Sequence, residues 1–84
     1  MNDDAAGPSY EGAVDQVNLV INWYNEQLLA QRRSGAPDPA RVKQLTAERQ
    51  EAIDAMQALD DADAAERRRI TERYEARLRD LAGE

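Results

Sequence analysis

Residues 10–42, YEGAVDQVNLVINWYNEQLLAQRRSGAPDPARV, decide the fold class. Tyr10, Val14, Val17, Ile21, Tyr24 and Leu28 recur at alternating steps of four and three, which places all six on one stripe of a helix, and Val20 widens that stripe. Ser9 is suited to cap the start, Glu11 lies in the first turn, and Arg32 and Arg33 favour the negative end of the helix dipole. The segment Ser34-Gly35-Ala36-Pro37-Asp38-Pro39 is a stop followed by a start: Gly35 fits the left-handed residue after a helix, Asp38 is an N-cap and Pro39 takes the first helical position. So short a connection between two long helices predicts an antiparallel αα-hairpin. Its second arm presents Val42, Leu45, Ala52, Ile53, Met56 and Leu59 on one face.

Beyond the hairpin, Asp60-Asp61-Ala62-Asp63 interrupts the apolar stripe, and Asp63 with Glu66 has the spacing of a cap and its third residue. No glycine or proline enforces a break there. The expectation is therefore all-α, with helices at about 10–33, 39–59 and 64–82 in a single helical domain, or with the last two joined into one helix from about 39 to 82. Ile70, Tyr74, Leu78 and Leu81 form a narrow seam among charges. Asp63/Arg67, Arg68/Glu72 and Glu75/Arg79 are opposite charges four apart that support an exposed helix. This third segment reads either as the last member of a three-helix bundle or as a coiled-coil-like extension. Residues 1–9, MNDDAAGPS, are small, polar and turn-rich and are expected to form a disordered arm.

Composition narrows the function classes. The chain has 84 residues, and of the 42% that are apolar fifteen are alanine, so the core is thin for a chain that has room for one small domain. It contains neither cysteine nor histidine, which excludes a disulfide framework, a Cys/His zinc site and any nucleophile–histidine pair. A second subunit or a protein partner, with homodimer the simplest form, is the expected supplement to so thin a core. The net charge of −6 opposes binding to nucleic acid or to an anionic membrane, and the acidic stretch Met1-Asn2-Asp3-Asp4 is expected to be neither a signal nor a transit peptide. No run of apolar residues is long enough to span a membrane, so a cytoplasmic protein is expected. Arginine provides ten of the eleven basic residues and alanine is the commonest residue, a usage that suggests a GC-rich bacterium. In outline, a hairpin with a charged helical extension resembles many small bacterial helical proteins, including hairpin dimers that close into four-helix bundles.

Several side-chain groups could carry function. Leu19 and Trp23, joined by Leu29 and Ala30, lie nearly opposite the Val14, Ile21 and Leu28 stripe, so a two-helix hairpin leaves their face apolar and exposed. Either the third helix covers them or they form a contact surface for another chain, with the only tryptophan as anchor. Arg67, Arg68, Arg69, Arg73, Arg77 and Arg79 could track phosphates, although the stretch 61–84 also holds seven acidic residues and is net −1. Counting Asp61 as the first position of a calcium loop puts Asp63 third and Glu72 twelfth, but Glu66 stands where glycine is needed and arginines fill the loop. Arg49 and Arg67 lie on the apolar stripe and must reach water or a carboxylate of another helix or chain. Helical enzymes that work through arginine, lysine and carboxylates exist, but Lys43 is the only lysine and the chain has few large side chains with which to wall a pocket.

The function expected from these residues is a noncatalytic helical protein–protein interaction module, with no cofactor, metal or small-molecule substrate. Its contact residues are Leu19 and Trp23, joined by Ile70, Tyr74, Leu78 and Leu81 if the last segment reaches beyond its own hairpin. The alternative is a nucleic-acid-associated regulator that uses the Arg67–Arg79 face as a dimer.

Overall fold

The computed structural model describes residues 8–83. They form three helices, α1 (Tyr10–Arg33), α2 (Pro39–Ala58) and α3 (Ala64–Ala82), with no strand among the described residues. The arm expected over residues 1–9 lies outside the described residues except for Pro8 and Ser9, and Ser9 caps α1, its Oγ accepting the Gly12 N–H at 2.9 Å.

The hairpin connection follows the chemistry of its residues. Gly35 takes φ 78°, the left-handed region that an L side chain avoids. Asp38 Oδ1 accepts the N–H groups of Ala40 (3.0 Å) and Arg41 (3.4 Å), and the Asp38 N–H in turn donates to Gln31 Oε1 at 2.8 Å. These bonds satisfy donors that a helix start leaves unpaired and fix the angle at which α2 leaves the loop.

The chain also breaks between α2 and α3, so the joined helix over 39–82 does not form. Asp63 caps α3 by accepting the Glu66 N–H at 2.8 Å, as its spacing predicts. A second cause was not visible in the spacing. Leu59, the residue that ends α2, is almost completely buried, and the N–H groups of Asp60, Asp61 and Ala62 bond to the carbonyls three residues back (3.2, 3.3 and 3.3 Å). Three such tight turns in succession redirect the backbone around the Leu59 anchor without glycine or proline.

Helix α1 is the hub. It pairs antiparallel with α2, as contacts between Tyr10 and Asp60 and between Tyr24 and Glu48 show, and parallel with α3, through Pro8 with Arg67, Gln16 with Tyr74, and Tyr24 with Arg77. Helices α2 and α3 pack chiefly on α1 and little on each other. Two-sided packing explains which residues of α1 are buried. Ala13, Val17, Val20, Tyr24 and Leu28 are interior, whereas Val14 and Ile21 are only half-buried and Tyr10 remains 46% exposed. The stripe has therefore turned from the one expected for a two-helix hairpin toward a line midway between the two neighbours. Leu45, Ala52, Leu59, Ile70, Tyr74 and Leu81 complete the core. Alanines at positions 13 and 52 allow close approach, which is how a chain with few large side chains closes its interior.

Candidate functional site

The outer face of α1 carries two of the three large apolar side chains exposed among the described residues, the third being Tyr10. Leu19 is 52% exposed and Leu29 41%, with Ala30 exposed beside them. Trp23 is half-buried: it packs against the core and meets the Tyr24 ring edge-on at 5.4 Å and 85°. The reason lies in the placement of α3. Gln16, whose Nε2 donates to the Tyr74 carbonyl at 3.4 Å, lies about 20° from Trp23 around the helix at about 100° per residue. Helix α3 therefore shelters the Trp23 side of α1 in part and leaves Leu19 in solvent.

The other four expected contact residues go inside. Ile70, Tyr74 and Leu81 are buried in the chain's own core and Leu78 packs against it. The assignment of Ile70, Tyr74, Leu78 and Leu81 to a partner interface is corrected accordingly: it required the last segment to reach beyond the hairpin, whereas the turn at Leu59 folds α3 back along α1. The narrow seam that resembled a coiled-coil strand is narrow because it meets a single helix.

The arginine group is also divided by the fold. Arg77 Nη1 donates to the Tyr24 hydroxyl at 2.9 Å, and the guanidinium groups of Arg73 and Arg77 lie 5.8 and 5.9 Å from the centre of the Tyr74 ring. Arg67 Nε donates to the Pro8 carbonyl at 3.0 Å, and Arg49 Nη1 to Asn25 Oδ1 at 2.9 Å, so both arginines on the apolar stripe end on neutral oxygens rather than on carboxylates. Two of the six arginines proposed to track phosphates, Arg67 and Arg77, thus tie α3 to the start and middle of α1, while Arg73 lies against the ring of its neighbour Tyr74. Asp60 accepts the Tyr10 hydroxyl at 2.7 Å and Asp63 is a helix cap. Among the described residues no group of three or more carboxylates is placed to hold a metal ion, and no helix is long and apolar enough to cross a membrane.

A polar junction that sequence reasoning missed links all three helices. The buried Tyr24 hydroxyl donates to Glu48 Oε1 on α2 (3.0 Å) and accepts from Arg77 on α3 (2.9 Å); Glu48 Oε2 is held in turn by Gln44 Nε2 at 3.1 Å. Burial holds the Tyr24 hydroxyl above the ordinary tyrosine value, with Arg77 opposing that rise and Glu48 adding to it. The bond to Tyr24 raises Arg77 further. The available signal was the tyrosine itself: a phenol on a core stripe needs a partner, and the flanking helices must supply it.

Between α2 and α3, where the two helices meet little, runs an open groove of about 420 Å³. Glu51, Asp54 and Glu66 line it with Arg73, and Tyr74 and Ile70 form part of its apolar side. Burial raises Tyr74 above the ordinary tyrosine value, opposed by Arg73 and Arg77. A second notch of about 320 Å³ at the hairpin end is lined by Leu28, Pro37 and Val42 with Arg32 and Arg49 at its rim. Neither hollow brings together a nucleophile and a base in hydrogen-bond reach, and Tyr24, whose hydroxyl bonds both Glu48 and Arg77, is sealed in the core.

Comparison with family models, with curated proteins and with solved structures finds no match to this chain.

Proposed function

We propose that the protein is a noncatalytic, cytoplasmic interaction module that docks the outer face of α1, centred on Leu19 and the exposed edge of Trp23, against another protein chain. The observation that carries this reading is Leu19: a large apolar side chain, 52% exposed, beside a half-buried tryptophan on a helix whose opposite face is fully used. A solvent-exposed apolar step next to an aromatic anchor gains from burial, whereas the polar residues around it lose little by staying at the rim. The Arg67–Arg79 face supports a nucleic-acid role less well, because Arg67, Arg73 and Arg77 are engaged within the chain.

The test is a photo-crosslink. Benzoylphenylalanine in place of Leu19, irradiated in the cells that make the protein, should give a covalent adduct with a protein chain. The same group in place of Gln50, exposed on α2, should not. Absence of any adduct at position 19, or equal adducts at both positions, would sink the reading.

A further inference from the structure

The outer stripe of α1 is self-complementary. Gly12, Gln16, Leu19, Trp23, Glu26 and Ala30 follow at steps of four, three, four, three and four and so share one face. Reflected about residue 21, Leu19 falls on Trp23 and Gly12 on Ala30, while Gln16 and Glu26 come to one level on opposite flanks of the seam. Two copies laid antiparallel about that point place their large side chains together at the centre. Their smallest residues meet at the ends, where low bulk lets the backbones approach.

Charge selects the direction. Glu11 lies in the first turn of α1 and Arg33 in the last, both exposed and about 40° apart around the helix. In the antiparallel register Glu11 reflects to position 31, about 3 Å along the axis from Arg33, so each acidic start meets a basic end twice over. A parallel pair would leave the two acidic starts at one end of the seam and the two basic ends at the other, so that neither Glu11 could meet an Arg33, and would align the helix dipoles.

Building on the interaction-module reading, we infer that the occupant of this face is a second copy of this chain, docked α1 against α1 antiparallel with Leu19 of each copy over Trp23 of the other. A strip along the 24-residue helix, ~36 Å long and ~10 Å wide, covers roughly 400 Å² on each copy, or about 800 Å² in all. That is below the standard size of a stable complex, so the dimer exchanges and its population rises with concentration.

Sedimentation equilibrium from micromolar to millimolar protein should show the mass rising from 9.4 kDa toward twice that value. Leu19→Glu should weaken the association by about tenfold or more while leaving the thermal melt nearly unchanged, because the side chain sits outside the core. If Leu19→Glu fails to fold, Ala30→Glu, at an exposed position on the same stripe, serves instead. The absence of cysteine allows a single spin label through Ser34→Cys. The two labels should lie roughly 39 Å apart along the axes in the antiparallel pair, against roughly 20 Å or less in a parallel one. A constant 9.4 kDa, a dimer indifferent to the stripe variants, or closely spaced labels would each overturn the assignment. The photo-crosslink separates this failure from that of the module reading: a Leu19 adduct with a different protein, from a chain that stays monomeric, removes the second copy and keeps the docking face.

Discussion

Replacing Tyr24 with Phe removes one oxygen atom from the point where the three helices meet and leaves the ring in place. The hydroxyl donates to Glu48 at 3.0 Å and accepts from Arg77 at 2.9 Å, and the residue is completely buried. A hydrogen bond to a charged group contributes about 1.5–3 kcal/mol where the partner is stranded by its loss, and about 0.5–1.5 kcal/mol where the partner finds other bonds. Both partners here are only half-buried, Glu48 keeps its bond from Gln44 (3.1 Å), and Arg77 keeps the Tyr74 ring. The pair together therefore contributes about 1–3 kcal/mol. A chain near this size draws only about 3–5 kcal/mol of net stability from its core, so the loss is a large share of the total. At roughly 4–8 °C per kcal/mol the melting temperature should fall by roughly 5–20 °C in a circular-dichroism melt. Tyr10→Phe is the control. It loses a bond of 2.7 Å to Asp60, but on an exposed side chain, and should leave the melt close to that of the parent. A Tyr24→Phe melt that coincides with the Tyr10→Phe melt would refute the junction as a source of stability. An Arg77→Met change in the Tyr24→Phe background should then cost less than in the parent, and full additivity of the two would contradict the geometry as well.

The hub position of α1 also reorders the core. Val20→Asp should unfold the chain, since it strands a charge at a position with no exposed surface, while Ile21→Asp, at a half-buried position, should cost about 1–2 kcal/mol and leave a folded protein by circular dichroism; the reverse order would mean that α1 is turned the other way. Gly35→Ala should cost about 1 kcal/mol in urea denaturation, entirely from the φ of 78°, because an added Cβ meets nothing within 4 Å, and a stabilising effect would contradict that backbone. Stability should fall as the solution becomes alkaline. Tyr24 and Tyr74 titrate above 10.0 in the folded chain, so the unfolded state loses its protons first: their contribution is complete below pH 10.0 and is lost as pH rises through the folded values. Urea midpoints at about pH 9 and about pH 11 should show this drop, with a smaller drop in Tyr24→Phe, and equal midpoints in the parent would count against it.

The sequence by itself determined the helices and their limits, because those depend on neighbours a few residues away. Ser9, Asp38 and Asp63 cap the starts that their spacing marks, and Gly35 takes the conformation that only its missing Cβ makes cheap. The Leu19 and Trp23 face was legible for the same reason, since a helix of known period assigns every residue a direction. Where each direction points was decided only by the tertiary structure. Trp23 is half-sheltered and Leu19 is not because α3 lies against one flank of α1, and nothing within a few residues of either encodes that placement. Ile70, Tyr74 and Leu81 looked the same from the sequence whether they met this chain or another one, because an apolar seam records that it will be covered without recording by what. Their burial followed from the turn at Leu59, which depends on a side chain anchoring into a core assembled from all three helices. The Tyr24, Glu48 and Arg77 junction is the extreme case. Its members are separated by 24 and 53 residues, and only the packing of α2 and α3 on opposite flanks of one helix brings a carboxylate and a guanidinium to the same hydroxyl.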